Sequence, residues 1–157
     1  MEEKNKVYIA CSMIKSKKID FSLLDYLENW VVNQGFSPFI PGKMGDASPK
    51  VVFKRDIDML EKSRYIVADV NEPSHGVGME LMYAYKYEIP VLCFLNTANK
   101  PLSRMVKGSP HVLILEYETE EELITNFEEI KLQDLSLNLC VKCSEKTIHL
   151  ADKCVKC

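Results

Sequence analysis

The stretch Glu72-Pro73-Ser74-His75-Gly76-Val77-Gly78-Met79-Glu80 carries the residue types with which a protein holds an anion and attacks a carbon. Gly76 and Gly78 let backbone amides approach a ligand closely, and Ser74 offers a hydroxyl. A helix starting here points its positive end at the same place, so the segment can form a phosphate cradle. Glu80 is expected within the first turn of that helix, where the dipole and nearby amides favour an ionised carboxylate. Such a group, facing a cleft, is suited to be a nucleophile. The same letters also fit an ordinary glycine-rich turn with Glu80 as a favourable first-turn acid.

A second constellation lies in the tail. Cys140-Val141-Lys142-Cys143 and Cys154-Val155-Lys156-Cys157 are two Cys-x-x-Cys pairs with ten residues between them. Each pair can place two thiolates on one metal from a tight turn, and two pairs complete a tetrahedral four-cysteine zinc site. So short a segment cannot build its own core, so the metal is expected to supply its folding energy. A closed four-thiolate site has no open position, which makes the zinc structural and leaves the reaction without a cofactor. A redox dithiol is the other reading of the pairs. Residues 1–134 are expected to form the catalytic domain and residues 135–157 the metal-bound tail, whose surface offers dimer or partner contacts. Cys11 and Cys93 read as buried thiols beside or within strands. His149 reads as a surface residue rather than a ligand, and His75 and His111 have no evident partner.

Positioning these groups requires alternating strands and helices. Val7–Cys11 is a short β-prone run, and Phe21, Leu24, Leu27, Trp30 and Val31 recur at helical spacing up to a terminating Gly35. Phe36–Ile40 reads as a second strand before a Gly/Asp/Ser/Pro-rich loop over Gly42–Pro49. A helix over Lys50–Lys62 is expected to turn Val52, Phe53, Ile57 and Leu60 inward. Tyr65–Val70 reads as a doubly covered parallel strand. The helix bearing Glu80 follows, ending near Tyr87, and Pro90–Leu95 and His111–Leu115 supply two more strands around a short helix at Leu102–Lys107. Thr119 to Glu122 has the spacing of a capping box for a last helix through Ile130. The pattern predicts an α/β fold with a doubly wound five-stranded parallel sheet in the order 2-1-3-4-5. Ligands of such sheets bind outside the carboxyl ends of the strands, so chemistry is expected in the loops after Cys11, Val70 and Leu95.

Composition narrows the remaining classes. The 157 residues fit one compact domain with a small appendage, and 46% hydrophobic with 27% charged residues is ordinary for a globular protein. A formal net charge of -3 argues against coating nucleic acid, which needs a basic footprint. Met1–Lys6 lacks the apolar stretch of a secretory signal, and no apolar run is long enough to span a bilayer. A soluble cytoplasmic protein is therefore expected, and in that reducing setting six cysteines suit metal or buried thiols better than disulfides.

Several segments, in order, carry a resemblance. Asp56-Ile57-Asp58-Met59-Leu60, Ile66–Val70, Glu72–Leu81, Pro90–Cys93 and Leu102-Ser103-Arg104-Met105 resemble the nucleoside 2-deoxyribosyltransferase superfamily. Within it they are most similar to the 2′-deoxynucleoside 5′-phosphate N-hydrolases. The likeness runs from Lys6 to Ile130, and Pro-Ser-x-Gly-Val-Gly-x-Glu is its most specific part. It implies that Glu80 attacks the anomeric carbon and forms a glycosyl ester. It implies that Asp56 assists the leaving base or orients the sugar, and that Tyr8 lies near both. Ser12, Ser74, Gly76, Gly78, Ser103 and Met105 are implied substrate contacts, with Ser103 reaching the phosphate of a neighbouring subunit's site. A homodimer with shared active sites and a small nucleotide substrate follow from the same resemblance.

The chemistry is coherent by itself, because a carboxylate can stabilise and capture a cation-like sugar while an acid helps the base depart. The family's first loop usually reads Gly-Ser-Ile-Arg-Gly-Gly, whereas this chain has Cys11-Ser12-Met13-Ile14-Lys15-Ser16. Only the serine is shared, and Lys15, Lys17 or Lys18 would have to replace the arginine fork with a more mobile charge. A deoxyribosyltransferase and a non-catalytic nucleotide sensor are the alternative functions. Ser74 favours the hydrolase, since the resembling transferases usually carry an acid there.

Overall fold

The computed structural model describes residues 4–12 and 21–157; the lysines of the first loop lie outside the described residues, as does the Phe21 side chain. The chain order is β1 (Lys6–Ala10), α1 (Phe21–Asn33), β2 (Ser37–Phe39), α2 (Pro49–Glu61), β3 (Ser63–Asp69), α3 (His75–Lys86), β4 (Val91–Asn96), α4 (Arg104–Gly108), β5 (Val112–Tyr117) and α5 (Glu120–Glu129). After these come β6 (Leu135–Cys140), β7 (Glu145–Leu150) and β8 (Lys153–Cys154). The first five strands pair in parallel in the order β2-β1-β3-β4-β5, as the alternating pattern predicts.

Strand alternation sorts the core into two faces. Val7, Ile9, Tyr65, Val67, Leu92 and Phe94 pack with α1 and α5. Tyr8, Ala10, Ile66, Ala68, Val91 and Cys93 pack with α2, α3 and α4. The parity of β1 therefore aims Tyr8 at the helix that carries Glu80. Helix ends follow local chemistry: the Ser48 and Ser74 side chains accept from the Val51 and Val77 amides, capping α2 and α3. Gly35 sits at φ 86°, where the Phe36 amide returns to the Val31 carbonyl and stops α1. In α2, Leu60 is buried and Ile57 packs on the core, but Phe53 is 58% exposed, against the expectation that it faces inward. Its place on the helix turns it toward a surface cleft.

The last three strands form an antiparallel sheet, β6-β7-β8. Its inward residues Leu135 and Ile148 join the α1/α5 core, with Leu137, Leu150 and Val155 packed against it. The Ile148 amide donates to the Pro110 carbonyl just before β5, and Lys146 pairs with Glu88 just before β4. The tail thus leans on the amino ends of the strands. His149 is buried, with Nδ1 against the Thr147 carbonyl, because the ribbon folds over it; the expected surface position does not hold. His111 is also buried and stacks beside Tyr85. Among the described residues no helix is long and apolar enough to cross a membrane.

Candidate active site

Tyr8 comes from the middle of β1, is fully buried, and tilts against Phe39 with ring centroids 5.4 Å apart. Its hydroxyl donates to Glu80 Oε1 at 2.6 Å, across 72 residues of sequence. Burial first, and the adjoining Glu80 second, drive the phenol far above its ordinary range, so it remains a protonated donor.

Glu80 lies in the second turn of α3, because the helix begins at His75. It is therefore past the first-turn amides that were expected to hold it ionised. Burial instead pushes its carboxyl up to about 7; the Tyr8 hydrogen bond opposes that rise and the nearby Asp56 charge adds to it. The acid is thus poised between protonation states near neutrality. Oε2 is buried without a hydrogen-bond partner among the described residues. An orphaned oxygen on such a carboxyl can serve as an attacking atom, since none of the described residues has claimed its lone pairs.

Asp56 projects from α2 into the same cleft, and Arg55 Nε donates to its Oδ1 at 2.7 Å. The Arg55 guanidinium also lies 5.9 Å from the centre of the Phe39 ring, the ring that backs Tyr8. Asp56 and Glu80 line a cavity of about 650 Å³ whose other walls include Val52, Phe53, Met79 and Tyr83. Its apolar walls suit a flat heteroaromatic ring.

A second hollow of about 390 Å³ opens on the other side of the α3 amino end. Ser12, Ser74, Gly76, Gly78, Asn71 and Ser103 line it, and Gly76 lines both cavities. The Ser74 oxygen is used in capping α3, at 3.4 Å from the Val77 amide, which leaves its proton to donate outward. The Ser103 side chain makes no capping bond on α4. A Cβ added at Gly78 would meet nothing within 4 Å, and one at Gly76 only the Ser74 hydroxyl at 3.8 Å. The fold itself does not need glycine there, since an alanine Cβ would fit at both positions. The bare backbone leaves room for a ligand from outside.

The structure therefore brings Tyr8, Asp56 and Glu80 together, and separately gathers Ser12, Ser74, Gly76, Gly78 and Ser103 next door. Met105 joins neither: it is 81% exposed and faces a third hollow with Met82, Tyr85 and Ser103. Asn71 carries no signal of its own in the sequence, although Asp69 two residues before it has the spacing of a side chain that bonds the backbone. No local signal marks Phe53, Met79 and Tyr83 as cavity walls.

In the tail, the sulfurs of Cys140, Cys143, Cys154 and Cys157 all lie within 4.8 Å of one another, so the cluster can bind a metal ion. The Cys143 amide, then the Cys157 thiol and the Lys142 amide, bond to Cys140 and lower its thiol, as amides at a tight turn do for thiolate ligands. Thr147 Oγ1 lies 3.2 Å from the Cys154 sulfur. Four soft sulfur donors at tetrahedral reach fit zinc in a closed site.

No protein-family model matches the chain. It is 36% identical over 83 residues to a protein of Syntrophotalea carbinolica provisionally named 2′-deoxynucleoside 5′-phosphate N-hydrolase 1, covering 52% of this chain and 56% of that one. It is 34% identical over 93 residues to the 5-hydroxymethyl-dUMP N-hydrolase of Danio rerio, covering 57% of this chain and 64% of the relative. The matched stretches thus span about half to two thirds of these relatives. The fold is similar to that of a CMP N-glycosidase from Clostridium botulinum, with a TM-score of 0.62 at 16% identity over 78% of this chain and 98% of that one.

Proposed function

We propose that this chain hydrolyses the N-glycosidic bond of (2′-deoxy)nucleoside 5′-monophosphates, releasing free base and sugar 5-phosphate through a glycosyl ester on Glu80. The observation that carries this reading is the buried Tyr8–Glu80 pair facing Asp56 across one apolar cavity, beside a glycine-lined helix start. The names of the similar hydrolases support the same substrate class. In this reading the base occupies the Asp56 cavity and the phosphate the hollow at Ser74, Gly76 and Gly78. Glu80 Oε2 attacks the anomeric carbon as the base departs, Asp56 assists the departing base, and water then cleaves the ester. Tyr8 orients Glu80 by holding its other oxygen. Chromatography of released base from a panel of monophosphates, with and without an added acceptor base, tests the proposal. Hydrolysis without exchange supports it; exchange faster than hydrolysis would make the chain a transferase, and tight nucleotide binding without turnover would make it a sensor.

The proton balance of Glu80 sets a pH dependence. Attack needs the ionised carboxylate, so the rate is expected to rise as pH climbs through about 7. In Tyr8→Phe the bond that lowers the Glu80 carboxyl is gone, so the inflection moves to higher pH and kcat at pH 7 falls about 10- to 100-fold. A pH profile of kcat checks both; an unmoved inflection would remove Tyr8 from this role.

The assembly and the metal belong to the same proposal. Met79, Met82, Tyr85 and Met105 are exposed around α3 and α4, a face that a second copy of the chain would cover. Charging it by Met105→Asp is expected to convert a dimer to a monomer in sedimentation, and a monomeric parent would rule the dimer out. The four cysteines hold structural zinc, with no metal taking part in cleavage. Six cysteines with four of them gathered as metal ligands suit a reducing cytoplasm.

A further inference from the structure

Asn71, in the loop between β3 and α3, makes four side-chain hydrogen bonds at the edge of the Ser74 hollow. Its Nδ2 donates to Asp69 Oδ1 at 2.7 Å and to Tyr117 Oη at 3.0 Å. Its Oδ1 accepts from the Asn96 backbone amide at 2.6 Å and from Asn99 Nδ2 at 3.0 Å. The backbone donor at Asn96 fixes which end of the amide is oxygen, so both donors and both acceptor sites of the side chain are in use. Asn96 in turn accepts from the Ala98 amide and donates to the Glu118 carbonyl. One side chain therefore ties together the loops that follow β3, β4 and β5. The first two of these loops also contribute Ser74, Asn99 and Ser103 to the wall of the hollow. Nothing in the cleavage chemistry uses Asn71, which lies on the opposite side of α3 from Glu80's cavity.

We infer that Asn71 is a positioning residue that sets the spacing between the two loops gripping the substrate's phosphate, and so determines the preference for nucleotide over nucleoside. The inference rests on the nucleotide-hydrolase reading above. A loop held by several bonds to one amide is already in its binding shape, so the ligand need not order it. Losing that amide leaves both walls present but no longer held at one separation, which weakens ground-state and transition-state binding alike.

The test uses Asn71→Ala and Asn99→Ala, singly and together, in the full chain. Asn99 is exposed and contributes one bond to the clamp, so its variant keeps the fold even where Asn71→Ala costs thermal stability. Asn71→Ala is expected to raise KM for a monophosphate about tenfold, with a much smaller change in kcat and in KM for the matching nucleoside. Asn99→Ala should do the same more weakly, and the double variant should add little to Asn71→Ala. Hydrogen exchange at the Asn96 amide should quicken in Asn71→Ala. Equal effects on nucleotide and nucleoside, a loss confined to kcat, or unchanged protection of Asn96 would each overturn the inference. Should the parent release no base at all, the hydrolase reading fails by itself. The clamp is then judged by amide exchange together with the affinity for deoxyribose 5-phosphate, expected to weaken about tenfold in Asn71→Ala.

Discussion

Glu80→Gln is expected to lower base release by about 10³- to 10⁵-fold while leaving the fold intact, because an amide can neither attack the sugar carbon nor carry the ester. The size follows from removing the bond-forming atom rather than a supporting contact. The loss should appear in kcat, with KM for the nucleotide little changed. Stability should move the other way. Glu80 has its folded-state carboxyl raised to about 7, so its contribution to stability is fully present below about 4.5 and is lost as pH rises through about 7. Above that, keeping the buried anion costs on the order of 3 kcal/mol. Glutamine carries no such cost, so the variant should melt higher than the parent at pH 8 and differ little at pH 5. Activity within tenfold of the parent, measured as released base, would take Glu80 out of the reaction.

Removing the proposed zinc should have the second largest effect. Chelation, or Cys140→Ser, is expected to release one zinc per chain and to lower the melting temperature by more than about 10 °C, since structural zinc can supply on the order of 10 kcal/mol of folding energy to its module. The loss should spread beyond the tail. Leu135 and Ile148 are part of the same apolar layer as Trp30, Leu92 and Phe127, so a ribbon that opens exposes the α1/α5 side of the sheet. Atomic absorption gives the metal content and calorimetry the melting point. A tail that keeps its cysteines clustered and its melting point after complete metal removal would refute this structural role.

The sheet was legible because its signals are periodic: β-prone runs separated by amphipathic helices leave few ways to wind a parallel sheet. The Ser48 and Ser74 caps and the Gly35 stop are equally local. Glu80 stood out through its glycine-rich setting, but its protonation did not, because the cause is burial under side chains from α2 and β1 rather than the neighbouring sequence. His149 was misjudged for a related reason: a short cysteine-flanked segment looks solvent-facing until its hairpin folds back onto the rest of the protein. The cavity that Met79 and Tyr83 share with Val52 and Phe53, and the bonds of Asn71 to Tyr117, Asn96 and Asn99, join residues far apart in the chain, which no short-range pattern encodes.

The ribbon props against the strand beginnings at Pro110 and Glu88, whereas the hollow at Ser74 opens beyond the strand ends at Ala10, Asp69 and Asn96. The ribbon and the proposed phosphate hollow thus sit at opposite poles of the sheet. The proposed ion would then act on turnover only by keeping the sheet whole, so molecules that remain folded after its loss should still release base at their former pace.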